Sequence, residues 1–212
     1  MSLHPAGGGD GPPEAIYIIR HGEKPGDLLP AHGKHHHDGG HFGVDYRGAQ
    51  DEHSLLPRGW QRSGALVALF APAAGPPPAG LRTPAALLSP SHGDPGKTAV
   101  RRTYQTIQGL ADHLGLMIGT PFEVGHEPQL AERVVAAHSG AVLICWEHHH
   151  IPAIARSLPI VHGTAIPDDW PDDRYDLIWA FTRVPGKTQL RYAFSQVPQR
   201  LLAGDTDKVI PG

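Results

Sequence analysis

Arg20-His21-Gly22-Glu23 stands directly behind the apolar run Ile16-Tyr17-Ile18-Ile19. A neutral imidazole nitrogen is a good nucleophile near pH 7, and a guanidinium grips phosphate oxygens in a fork. Side by side, these two side chains suit attack of a histidine on a phosphoryl group. The apolar run reads as a buried strand. Loops at the carboxyl ends of parallel strands are where open α/β sheets carry their chemistry. Gly22 permits the tight turn and close backbone approach that an anion site requires.

Three further stretches carry residues of matching chemistry. Arg102-Thr103-Tyr104-Gln105-Thr106 falls near the start of a helical segment. Free N–H groups and the helix dipole favour an anion there, and Arg102 can add a bidentate grip. Glu147-His148-His149-His150 follows the apolar run Val142-Leu143-Ile144-Cys145-Trp146, which repeats the arrangement of the first site. His148 is the first imidazole after that run and is the one expected to face inward. Trp60-Gln61-Arg62 opens another helical segment, and Gln61 is placed at the pocket mouth.

The elements that must position these residues alternate between strand and helix. Strands are expected at 14–19, 85–89, 122–124 and 141–146. Helices are expected at 60–71, from a Thr98 cap to about Leu114, at 128–138, and from Pro152 to about Leu158. Two strands at 176–184 and 189–197, joined by a turn at Pro185-Gly186-Lys187, close the chain. This order predicts an α/β domain with a mostly parallel sheet, helices on both faces and an antiparallel edge strand.

The bulk composition sets bounds on function. The chain has 212 residues, 40% hydrophobic and 18% charged, with a formal net charge of -3. That length suits one domain burying about 70% of its unfolded surface. The charge offers no electrostatic attraction for nucleic acid or an anionic membrane. No apolar stretch approaches the roughly 20 residues that span a bilayer. Residues 1–13 are rich in Gly and Pro, and are expected to be a flexible segment without a secretory signal. The single cysteine, Cys145, excludes an internal disulfide, suits the cytoplasm and is expected to be buried and inert.

Residues 24–58 show no periodicity. His32, His35, His36, His37 and His41 crowd there with Asp38 and Asp45. The paired ligand spacings of structural zinc sites are missing, so this stretch is expected to form a polar lid, and no metal ligand is assigned. Asp168, Asp169, Asp172 and Asp173 read as a solvated loop.

Taken together, these elements resemble the histidine phosphatase superfamily, which includes cofactor-dependent phosphoglycerate mutases and acid phosphatases. The resemblance rests on the RHG motif at 20–22, Gly-x-Gln at 59–61, R-x-x-Q-T at 102–106 and the late histidine His148. It spans residues 14 to 160. It implies a phosphoglycerate mutase-like three-layer α/β/α sandwich over residues 14–212. It further implies a phosphohistidine on His21 and a cationic pocket of Arg20, Arg102 and His148. No cofactor is implied.

The expected activity is hydrolysis of a small phosphomonoester. The alternatives are mutase-type phosphoryl transfer, or a non-catalytic member that binds phosphorylated ligands or metal. Two coupled histidines are expected to place the pH optimum on the acidic side of neutral. Lys24 stands where the acid-phosphatase branch has a further basic residue, and Gly22, Lys24, Gln61 and Glu147 are the expected substrate contacts. The His-Asp pair of that branch is absent, and the acidic stretch of the mutase branch is not matched by Glu127 or Glu132. Glu23 is the first candidate for the proton donor, by proximity to His21, and Glu147 is the second. Substrate identity and oligomeric state are not readable from the sequence.

Overall fold

The computed structural model describes residues 11–25, 42–91, 101–186 and 188–212. In chain order the elements are β1 (Ala15–Arg20), α1 (Pro57–Phe70), β2 (Ala86–Leu88), α2 (Arg102–Leu114), β3 (Ile118–Gly119) and α3 (Glu127–Ala137). They continue with β4 (Ala141–Trp146), a 3-10 turn over His148–His150, α4 (Ile151–Ser157), β5 (Leu177–Arg183) and β6 (Tyr192–Pro198). The strands form one mixed sheet in the order β3-β2-β4-β1-β5-β6. β3, β2, β4 and β1 run parallel, whereas β5 and β6 pair antiparallel at the other edge.

β1 and β4 are central and buried along their whole length, which explains why both are continuous apolar runs rather than alternating ones. Ile16 and Ile18 point to one face, where they join Val142, Ile144, Trp146 and the α3 and α4 residues Leu130, Val134 and Ile154. Tyr17 and Ile19 point to the other face, where they meet Leu143, Cys145, Leu66 and Phe70 of α1, and Ile107 and Leu110 of α2. Fully burying each such side chain contributes roughly 1.5–3 kcal/mol. The register matters most for the site. Arg20 lies opposite Trp146, so β1 and β4 end side by side and release their following residues at one edge of the sheet.

Several expected boundaries shift. α2 begins at Arg102 with Arg101 at its N-cap position; Thr98, the expected cap, lies outside the described residues. The segment 122–124 is irregular, and the short strand of this region is β3, five residues nearer α2 than expected. Its pairing with β2, rather than local propensity, selects Ile118–Gly119. α1 starts three residues early because Pro57 occupies its first turn, where a missing N–H costs nothing.

Residues 12 and 13 of the expected flexible segment are tied down: Arg183 donates to the Pro12 carbonyl and the Tyr192 hydroxyl to that of Pro13. The stretch 42–56 is also held in place. Gln105 accepts from the Leu55 N–H and donates to Ser54, and Trp60 donates to the Val44 carbonyl. The five histidines at 32–41 and the expected lid lie outside the described residues.

Candidate active site

His21 and His148 leave the adjacent ends of β1 and β4 and meet edge to face. Their ring centroids are 5.9 Å apart, with planes at 88°. His148 is 2% exposed, whereas the side chains of His149 and His150 are largely open to solvent. The inward position of the first histidine follows from the turn itself: the chain passes directly from buried Trp146 into the 3-10 turn.

The tautomer of His21 is set by its neighbour. Its Nδ1 lies 2.8 Å from the Gly22 carbonyl oxygen. A carbonyl only accepts, so Nδ1 carries the proton and Nε2 keeps its lone pair. Burial first, and then the Arg20 charge, lower the basicity of His21 to about 3 against the opposing Gly22 hydrogen bond. Lys24, half-buried, and His148 add smaller depressions. His21 is therefore a neutral imidazole throughout the physiological range.

His148 lies between two carboxylates. Its Nε2 is 2.6 Å from Asp172 Oδ1, and its Nδ1 is 2.7 Å from Glu147 Oε1. Burial draws the Glu147 carboxyl upward, but the proximity and charge of His148 outweigh it and hold the group at about 2. Asp172 is held below the usual carboxylate range, chiefly by its hydrogen bond with His148. The expectation that Asp172 merely solvates a loop is corrected here. Nothing local to its sequence reveals a partner 24 residues away.

Arg20 is buried, but part of its guanidinium serves the fold. Nη1 donates to the carbonyls of Pro171 at 3.1 Å and Asp172 at 2.5 Å, and the group lies 3.9 Å from the centre of the Tyr175 ring. Such a cation–π contact is worth about 0.5–2 kcal/mol. Tyr175 also approaches the His21 ring at 6.1 Å. Arg20 thus ties the 171–175 loop, and with it Asp172, to the end of β1.

The first turn of α2 connects to the same place. The Gly22 N–H donates to Thr106 Oγ1 at 2.8 Å, and that hydroxyl donates to the Arg102 carbonyl at 2.6 Å. The Arg102 side chain is half-buried and donates from Nη2 to the Glu52 carbonyl.

Three expected assignments need revision. Glu23 does not stand free as an acid. Both of its oxygens accept from Arg62, at 2.8 to 3.3 Å, and Oε1 also accepts from Arg58 at 3.1 Å. Gln61 is on the exposed face of α1, and the next residue, Arg62, is the one that turns inward. Gly22 serves helix packing first: a Cβ there would lie 3.1 Å from the Cα and the carbonyl oxygen of Gly59. At Gly59 a Cβ would lie 2.6 Å from the Glu23 carbonyl oxygen, closer than real contacts allow.

Arg62 is the main residue that sequence reasoning missed. Buried at 2% exposure, it holds Glu23, Asp205 at 2.8 and 3.1 Å, and Gln199 at 3.0 Å. Burial opposes its charge, but the Asp205 and Glu23 carboxylates outweigh that and raise its basicity. The one available signal is Arg58 and Arg62 four apart on one helix, facing a glutamate after the RHG motif. A cavity of about 350 Å³ lies beside this network, bordered by Glu23, Arg58, Arg62, Tyr175, Asp176 and Asp205.

Glu127 is likewise occupied. Its Oε1 accepts from the Trp146 indole and the Gly125 N–H, and lies 3.2 Å from His150 Nδ1. Cys145 is fully buried, and burial pushes its thiol up, far from reactivity.

Comparison with known proteins returns no matching family model and no matching curated protein.

Proposed function

We propose that the chain is a phosphoric monoester hydrolase of the histidine phosphatase type, with a phosphoglycerate mutase-like three-layer α/β/α sandwich. The layering is supported by the separate apolar clusters on the two sheet faces. The activity rests on one observation above all: the Gly22 carbonyl fixes the proton of His21 on Nδ1 in a buried site, beside a second imidazole.

In this reading, His21 Nε2 attacks phosphorus in line and the bond to the leaving oxygen breaks. Charge spreads over the equatorial oxygens, where Arg20, Arg102 and His148 supply positive charge. The proton donor is assigned to His148 rather than to Glu23, whose oxygens are taken by arginines, or Glu147, which is held ionised. His148, whose ring nitrogens stand beside the Glu147 and Asp172 carboxylates, gives up a ring proton. The leaving oxygen takes that proton. Water then attacks the phosphohistidine, the P–N bond breaks, and a proton from water returns to His148. Lys24 contributes positive charge near His21, and Gly22 sets its turn.

The test is turnover of an aryl phosphate by the parent chain and by His21→Ala. Rapid quenching should trap acid-labile, base-stable phosphate on the parent chain only. Turnover that survives His21→Ala would sink the mechanism. Isomerised phosphoester in place of free phosphate would assign the mutase reaction.

A further inference from the structure

We propose that Glu147, His148 and His149 form a binding site for a divalent first-row transition ion of the zinc class, and that its occupation switches off the phosphatase. The inhibitory part rests on the function proposed above; the binding part does not.

The geometry has the parts of a metal site. The three residues can present one ligand atom each, all within 4.8 Å of one another. The ring of His149 lies against that of His148, with centroids 3.9 Å apart and planes tilted by 37°. His148 Nδ1 is buried and 2.7 Å from Glu147 Oε1, yet the pair is not aligned as a hydrogen bond. Two polar atoms brought together without a directed bond suit a shared cation. Two ligands of a tetrahedral zinc ion sit about 3.3 Å apart, so the carboxylate needs to swing outward by less than about 1 Å.

The opposite edge of the ring supplies the second half of the argument. His148 Nε2 meets Asp172 Oδ1 at 2.6 Å. Metal-bound histidines typically donate their other ring N–H to a carboxylate, which fixes the tautomer and raises the basicity of the ligating nitrogen. Asp172 does this for His148 and leaves Nδ1 as the ligating atom. Two imidazoles and one carboxylate suit zinc, with a fourth position open to water. Access comes from the solvent side, where His149 is more than half exposed. An ion held there fixes the His148 ring and takes its positive charge and proton away from the phosphoryl group.

The experiment uses the full chain with His32, His35, His36, His37 and His41 replaced by alanine, because those imidazoles compete for metal. Cobalt(II) serves as the spectroscopic probe and zinc as the inhibitor. One equivalent of cobalt should develop the intense visible bands of a low-coordinate nitrogen site. His149→Ala and Glu147→Gln in that background should weaken binding on the order of 10- to 100-fold. Zinc inhibition, scaled to each variant's own metal-free rate, should weaken in parallel. Circular dichroism checks that each variant is folded, and exposed His149 is the safer of the two substitutions. Cobalt binding indifferent to both substitutions would overturn the site. Binding that leaves turnover unaffected would overturn the switch. A parent chain without phosphatase activity would still show the cobalt bands, which separates failure of the site from failure of the proposed function.

Discussion

Arg62 and His148 each sit between two carboxylates, and the comparison separates scaffold from proposed chemistry. Arg62 lies between Glu23 and Asp205, with all three side chains at 4% exposure or less. His148 lies between Glu147 and Asp172, and the Asp172 side chain is 78% exposed. The first cluster is closed and built on a group that never loses its charge. The second opens to solvent and is built on an imidazole, whose two ring nitrogens each face a carboxylate. The first fixes where the His21 loop stands. The second belongs to the proposed reaction and to the proposed metal site.

Substitutions can break this contrast, and the largest effect belongs to the proposed nucleophile. His21→Ala should cut aryl phosphate turnover on the order of 10³-fold or more, while the melting transition stays cooperative. Arg62→Met should act the other way round. It leaves Glu23 and Asp205 buried without their partner and should cost about 3–5 kcal/mol in urea unfolding. Arg62→Lys should recover only part of that, since an ammonium cannot bridge two carboxylates as a fork does. An Arg62→Met chain as stable as the parent would remove the scaffold role.

His148→Asn should lower kcat roughly 10²-fold with little change in stability, consistent with loss of a proton donor. Asp172→Asn should have a smaller effect, about tenfold in kcat, because it orients His148 without touching phosphorus. If Asp172→Asn instead unfolds the chain, the second cluster is scaffold as well.

The smallest expected effect is on stability against pH. The folded chain holds His21 at about 3, whereas its ordinary value is 6.5. Between those values the unfolded chain binds the extra proton, so stability is full above 6.5 and declines as pH falls toward 3. Urea midpoints of His21→Gln should decline less steeply over that window than those of the parent. Equal slopes would show that burial does not depress this histidine. The depression also revises the expected pH optimum. His21 does not titrate near neutrality, so it sets no limb of a profile there.

The sequence made the central strands legible because β1 and β4 are buried on both faces and must be apolar throughout. His21 and His148 were legible for the same reason, since each follows such a run. Glu23 and Asp172 were misjudged because their side-chain partners lie 24 to 39 residues away, and Gln61 because the exposed face of α1 falls on it. Proximity in sequence made Glu23 a candidate, but only the packing of α1 reveals the two arginines that occupy it. β3 was misplaced because two residues carry no periodicity, and the pairing with β2 decides their state.

The contact between Gly22 and Gly59 bears on how this chain tolerates change. The backbone of α1 presses against the turn that carries the nucleophile, with no room for even a methyl group at Gly59. A scan of every single substitution would therefore rank Gly59 among the most sensitive positions for activity. Such a map would draw the proposed catalytic centre too large, enclosing a glycine whose task is to keep α1 thin where it meets the His21 turn.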